Sequence, residues 1–180
     1  NNVVAILKNA GPTAVVVSAL GGVTDALLAL AHGAGNADQR GHLHELVQRH
    51  AAMARALLAK SDADRLIAAF QADAQDLSDV LRAAAIVRSM STQTLDLFAG
   101  YGEVWSAQIV AAALRHSGAS TKWLDAKEVL FVAASETGPL VDWQKSRAAL
   151  DAWLDDFHDD YLVITGFVAT DAEGLPTTLG

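Results

Sequence analysis

Apolar positions along the chain follow two periods, one of short unbroken runs and one of helical stripes. Ala14 to Ala19 (AVVVSA) is an apolar, β-branched run bounded by Gly11-Pro12 and Gly21-Gly22, the pattern of a strand buried on both faces. It predicts a central, parallel-type strand. Val3, Val4, Ile6 and Leu7 before it fit the end of a helix closed by Asn9 and Gly11. After the glycine turn, Val23 to Ala34 carries Leu27, Leu30, Ala31 and Ala34 at helical spacing. Two longer stripes follow, from Leu43 to Leu58 and from Leu66 to Ala84, with Ser61-Asp62 as the break and the next N-cap.

A further helix begins near Ser91 and is interrupted by Gly100 and Gly102, so that Glu103 opens the segment Val104 to His116, ended by Gly118. Thr121 to Leu124 reads as a short strand, Asp142 to Phe157 as an amphipathic helix, and Tyr161 to Thr170 as a second buried strand. Asp171 to Gly174 turns the chain into an antiparallel partner. Strands alternating with helices predict an α/β fold, with helices on both faces of a mostly parallel sheet and a helical excursion after the first strand. No internal repeat or linker divides the chain, so residues 1–180 are expected to form one domain.

Composition narrows the function. The chain has 180 residues, 52% hydrophobic and 19% charged, and no apolar run reaches the ~18–20 residues of a membrane-spanning helix. A net charge of -8 and the lack of a Lys/Arg cluster remove the electrostatic footprint of a nucleic-acid binder. There is no cysteine, hence no disulfide, thiolate metal site or thiol nucleophile, which suits a cytoplasmic protein. The chain opens on Asn1-Asn2 and stops at Gly180 after an extended-looking Thr177-Thr178-Leu179, which predicts a fold truncated at both ends.

In an open α/β sheet, ligands bind beyond the carboxyl ends of the strands. Ser18-Ala19-Leu20-Gly21-Gly22-Val23-Thr24 places a hydroxyl at a strand end, a two-glycine turn and a second hydroxyl at a helix start, where free backbone N–H groups favour an anion. The structural alternative is a satisfied core hydroxyl at Ser18 and a helix cap at Thr24, and on spacing alone that alternative is the simpler one. No GxxxxGK[ST] or GxGxxG fingerprint is present. Glu103 is either a carboxylate on a helix dipole or, with room left by Gly100 and Gly102, the partner of a small ligand's ammonium. His42, His44 and His50 lack HExxH spacing, and His42 and His44 point about 200° apart on a helix, so a solvated helix face is expected rather than a metal site. The tryptophans at 105, 123, 143 and 153 are expected in the core.

Three motifs carry a resemblance. VVVSALGGVTDALLALA (Val15–Ala31), GEVWSAQIVAAALRHSGASTKWLDAKEVL (Gly102–Leu130) and LVITGFVATDAEGLPTTLG (Leu162–Gly180) together resemble the catalytic domain of aspartate kinases, members of the amino acid kinase family. The wording is most like the bifunctional enzymes fused to homoserine dehydrogenase. The resemblance implies a three-layer αβα sandwich in which residues 1–180 are the N-terminal, aspartate-binding part of a kinase domain. It also implies transfer of the γ-phosphate of ATP, with Mg²⁺, to the side-chain carboxylate of L-aspartate, the entry to lysine, threonine and methionine synthesis, by a cytoplasmic homo-oligomer. Ser18 and Thr24 match the family's hydroxyls near the reacting carboxylate, and Glu103 matches its ammonium-binding Glu. Gly21 and Gly22 correspond to the phosphate path, and Thr165, Gly166 and Phe167 to the T-G-F strand end that walls the pocket. The family's catalytic Lys and Asp, its substrate-gripping Arg and its adenine-binding half have no counterpart here, so no catalytic residue is assigned, and the resemblance implies a fragment inactive by itself. The competing expectation is a non-catalytic binding or assembly module that uses the helices between Gly41 and Ser89 as its contact surface.

Overall fold

Helix α1 (Asn2–Ala10) leads into strand β1 (Thr13–Val17), and helices α2 (Val23–His32), α3 (Gln39–Leu57), α4 (Lys60–Val87) and α5 (Thr92–His116) follow before the chain returns as strand β2 (Thr121–Leu124). Then come a 3-10 turn (Ala126–Glu128), the short strands β3 (Val132–Ala133) and β4 (Leu140–Val141), helix α6 (Trp143–Leu154) and strands β5 (Tyr161–Thr165), β6 (Val168–Thr170) and β7 (Pro176–Thr178). The computed structural model describes residues 2–35, 39–136 and 138–179.

The central sheet has the order β1-β5-β2 and is parallel throughout, with Val163 of β5 level with Val15 on one side and Trp123 on the other. One face packs Val15, Tyr161 and Val163 against Leu7 of α1 and Ala107 and Leu114 of α5. The opposite face packs Leu124, Leu162 and Ile164 against Leu150 and Trp153 of α6. This is the expected αβα sandwich. Alternation along β5 explains it, because successive side chains enter opposite layers and both layers are covered by helices.

The parallel pairing of the first strand holds, but its central position does not. Among the described residues β1 is an edge strand, and only its α5-facing side is covered; Val16, on the other side, is 64% exposed. An unbroken apolar run cannot distinguish a strand covered on both faces from one covered on a single face.

The helical excursion builds its own core, in which Leu27 of α2, Val47 of α3, Phe70 and Leu77 of α4 and Trp105 of α5 are nearly or fully buried. Helices α3 and α4 thus spend their apolar stripes inside the molecule. The break between them falls at Leu58-Ala59, with Ala59 in an extended conformation as N-cap, so Ser61-Asp62 lies in the first turn of α4 instead of ending α3. Trp105 ties the excursion together, since its Nε1 donates to Asp73 Oδ2 of α4 at 2.8 Å and its ring meets His50 of α3 edge-on at 5.0 Å. His42 and His44 are exposed as expected, but His50 is completely buried, on the side of α3 that carries Val47 and Ala51. Its Nδ1–H donates to the Leu46 carbonyl at 2.7 Å, and its Nε2 has no partner among the described residues.

Two further expectations change. The helix begins next to Ser91 as predicted, with Ser91 as its N-cap accepting from the Thr94 N–H, but α5 runs unbroken through Gly100 and Gly102. These glycines serve close packing: a Cβ on Gly100 would stand 2.9 Å from Val168 Cγ1, and one on Gly102 would stand 2.8 Å from the Ala19 Cβ. The stretch from Tyr161 to Thr170 is not one strand. It breaks at Gly166-Phe167, where β5 leaves the main sheet and β6 starts an antiparallel hairpin with β7. Phe167 adopts φ 63, and the Val168 N–H donates to the Gly166 carbonyl at 2.7 Å, a three-residue turn that a non-glycine residue occupies only under strain. Among the tryptophans, Trp105 is fully buried, whereas Trp143, the first residue of α6, is 75% exposed.

Candidate functional site

Three segments meet at the carboxyl ends of the parallel strands. They are the loop after β1, the Gly166-Phe167 turn after β5, and the middle of α5 at Gly102-Glu103. Gly102 makes the meeting possible, because α5 can rest on Ala19 and Val23 only where it carries no side chain. The Gly166 N–H donates to the Val17 carbonyl at 2.8 Å and closes the two strand ends together.

Glu103 lies at the centre of this junction. It is only 3% exposed, and its Oε2 has no hydrogen-bond partner among the described residues. Burial raises the pKa of its carboxyl, and a hydrogen bond from the Ala19 backbone N–H pulls the other way. Because α5 is continuous, Glu103 sits in mid-helix and gains nothing from a helix N-terminus, which removes the dipole explanation for a carboxylate at this position. Nor do Gly100 and Gly102 leave an open space beside it, since Val168, Ala19 and Val23 fill theirs. Gly166 packs closely on the other side of the carboxylate, where a Cβ would come within 3.3 Å of Oε2. A buried carboxylate with a free oxygen is costly unless paired, and an ammonium group supplies both the charge and the donors.

The loop after β1 contributes free donors. Ser18 is exposed and follows the last residue of the strand, and Thr24 is the second residue of α2. Neither hydroxyl makes a hydrogen bond among the described residues, so Ser18 is not a satisfied core hydroxyl and Thr24 is not a cap. The N-cap is Gly22, in the left-handed region at φ 76, with no capping side chain. Val23 N–H is used by the Leu20 carbonyl, while the N–H groups of Gly21 and Gly22 have no acceptor within the described chain. Exposed, unpaired N–H groups at a helix start form an anion-binding surface.

Thr165 and Phe167 take different parts. The Thr165 hydroxyl is buried and accepts the Ala126 N–H at 2.7 Å, fixing the 3-10 turn after β2 to the end of β5. Phe167, half-buried, stands in its strained turn beside the junction. Sequence reasoning missed Arg49, whose Nη2 donates to the Gly21 carbonyl at 2.7 Å from helix α3 and holds a guanidinium beside the glycine turn. Only the fold brings residues so distant in sequence together, and no local pattern marks the pair. A groove of about 960 Å³ runs along the outer edge of β1 past Val16, Met53 and Val110; it reaches Ser18 but not Glu103. Its walls are mostly apolar, so the chemistry lies with Glu103 and the loop. Among the described residues no group of three or more His, Cys, Asp or Glu is placed to hold a metal ion.

The model of the amino acid kinase family matches residues 1–180. The chain belongs to the amino acid kinase family. It is 35% identical over 170 residues to a bifunctional aspartokinase/homoserine dehydrogenase 1 (chloroplastic) of Zea mays, an alignment that covers 92% of this chain and 18% of the relative. The bifunctional aspartokinase/homoserine dehydrogenase 2 of Escherichia coli K12 is 36% identical over 125 residues, covering 69% of this chain and 15% of its own. The chain thus spans about a fifth of the length of the curated relatives it matches. Among solved structures, E. coli aspartokinase III in complex with aspartate and ADP superposes with a TM-score of 0.75 at 22% identity, over 99% of this chain and 39% of that one. That likeness shows the amino acid kinase fold. No helix among the described residues is long and apolar enough to cross a membrane.

Proposed function

We propose that the chain is the N-terminal, aspartate-binding part of an aspartate kinase catalytic domain, which transfers the γ-phosphate of ATP to the side-chain carboxylate of L-aspartate. The observation that carries this reading is Glu103, a buried carboxylate with a free oxygen at the carboxyl ends of parallel strands. An α-ammonium group at Oε2 satisfies it, and the rest of a small amino acid then extends along the loop after β1. The names of the relatives and the aspartate in the aspartokinase III complex support this choice of ligand.

In this reading Ser18 and Thr24 donate to the reacting carboxylate with hydroxyls that no other group occupies, and Gly166 and Phe167 wall the pocket. Thr165 supports that wall from behind through its bond to Ala126. An oxygen of the carboxylate attacks the γ-phosphorus, the bond to the ADP oxygen breaks, and 4-phospho-L-aspartate leaves. Such a transfer is promoted mainly by positioning and by stabilising charge on the moving phosphoryl group. The N–H groups of Gly21 and Gly22 line its path, with Arg49 fixing the Gly21 carbonyl. Mg²⁺ bound with the nucleotide supplies further neutralisation of phosphate charge, and no cage of protein carboxylates is assigned to it. The product serves lysine, threonine and methionine synthesis, and the full-length enzyme is a cytoplasmic homo-oligomer. In this reading the described residues hold the amino-acid side of the site.

The test is a steady-state assay of the full-length enzyme, trapping the acyl phosphate formed from L-aspartate and MgATP with hydroxylamine. Glu103→Ala and Thr24→Ala should each abolish most of the signal. Full activity in both variants would overturn the site assignment.

A further inference from the structure

Helix α5 carries a second carboxylate, Asp96, seven positions before Glu103 and therefore on nearly the same face of the helix. Two hydroxyls from β7 meet it. Thr177 Oγ1 donates to Asp96 Oδ2 at 2.8 Å and Thr178 Oγ1 donates to Oδ1 at 3.1 Å, so each carboxylate oxygen holds one threonine. Bonds to an ionised acceptor are roughly twice as strong as neutral ones, and a pair on one carboxylate also fixes its orientation.

The grip falls where the hairpin opens towards the junction. Thr178 lies opposite Val168 in the β6–β7 register, and the next residue, Leu179, donates its N–H to the Phe167 carbonyl at 2.9 Å. Between Asp96 and Glu103, the bare Gly100 lets Val168 rest directly on the helix. Along one face of α5 the order is therefore Asp96 on the threonines, Gly100 under Val168, and Glu103 facing Gly166. Phe167, at φ 63, is the strained link between the hairpin and β5, and a strained turn persists only when its surroundings over-determine it.

We propose that Asp96 is a positioning residue for the amino-acid site: by holding Thr177 and Thr178 it seats the β6–β7 hairpin on α5 and fixes the Gly166-Phe167 turn beside Glu103. The identity of the ligand rests on the function proposed above, whereas the seating of the hairpin stands on the geometry alone. Asp96 acts through Phe167 and touches no ligand itself.

Two measurements on Asp96→Ala, Asp96→Asn and the double variant Thr177→Val/Thr178→Val separate these parts. Amide hydrogen exchange at Leu179 and Val168 should speed up by about tenfold or more in Asp96→Ala, as expected when bonds to a charged group are removed, with the amides of α4 unchanged. Asp96→Asn, which can accept from one hydroxyl and donate to the other, should recover most of the protection. Affinity for L-aspartate should fall in Asp96→Ala, and combining that change with Phe167→Gly should weaken binding no further than Phe167→Gly alone, because both act on one element. Unchanged exchange at Leu179 and Val168, or fully additive losses of affinity, would overturn the proposal. If the wild-type chain binds no L-aspartate, the function proposed above fails, and exchange still decides the role of Asp96. Should Asp96→Ala not fold, the threonine double variant carries the same test.

Discussion

Glu103 and Gly166 pack against each other across the junction of α5 with the sheet, and the glycine's missing side chain is what lets the buried Oε2 of the glutamate lie this close to the turn. A Cβ at position 166 would stand 3.3 Å from that oxygen and 3.1 Å from the Val17 carbonyl. The carbonyl belongs to the backbone of β1 and cannot swing aside. Gly166→Ala should therefore lower stability by about 1–3 kcal/mol, as overpacking commonly does, and weaken L-aspartate binding as well. Denaturant melts and a titration on the same sample check both.

The raised pKa of Glu103 gives ligand binding a pH dependence. An ammonium ligand favours the ionised carboxylate, so binding expels a proton wherever the free site is protonated. Affinity for L-aspartate should rise as pH climbs above 4.5, the ordinary Glu value, and level off once the free carboxyl is ionised. The stability of the free protein runs the opposite way: folded Glu103 holds its proton to higher pH than the unfolded side chain, so this group's contribution declines over the same window. Calorimetry in buffers of different ionisation heat measures the released proton directly, and Glu103→Gln should release none.

Ser18 and Thr24 should separate stability from function. Their hydroxyls make no hydrogen bond among the described residues, so Ser18→Ala and Thr24→Val should change stability by no more than about 0.5 kcal/mol. Activity of the full-length enzyme should nevertheless fall sharply in both. A large loss of stability with activity kept would mark them as structural groups.

His50 should make the fold acid-sensitive. Burial lowers its pKa below the ordinary imidazole value of 6.5, with its bond to the Leu46 carbonyl opposing and the Arg49 charge reinforcing the shift. Below pH 6.5 the unfolded chain takes up a proton that the folded chain refuses, so stability is lost as the solution is acidified. Asp73 and Glu103, both raised by burial, respond with the opposite sign at lower pH. Comparing the wild type with His50→Gln isolates the histidine: the variant should show a flatter fall in melting temperature below pH 6.5.

What the sequence made legible was local. The run from Ala14 to Ala19 marked a parallel strand, Ser91 marked a helix start, and the glycine turn after that strand, with α2 behind it, lies against α5 at Gly102-Glu103. What it hid depends on contacts between distant segments. Gly100 and Gly102 look like helix breakers because an isolated glycine weakens a helix, yet here each accommodates a neighbour, Val168 or Ala19, that no local window reveals. His50 shares a sequence pattern with exposed His42 and His44 and differs only in which face of α3 meets Phe70 and Trp105. The turn at Phe167 escaped notice because an aromatic residue with positive φ has no sequence signature, and the bonds of Asp96 to β7 join residues 81 and 82 positions apart. Coverage of the faces of β1 likewise depends on what packs beside it.

The central claim is that Glu103 receives the ammonium of an amino acid, and isothermal titration of L-aspartate into the chain and its Glu103→Gln variant tests it most directly. The variant keeps the shape of the side chain and removes the charge. Saturable binding to the wild type, weakened about a hundredfold or more in the variant, is the predicted result, in line with the loss of a buried charge-assisted pair. Equal binding to both proteins, or none to a folded wild type, would contradict it.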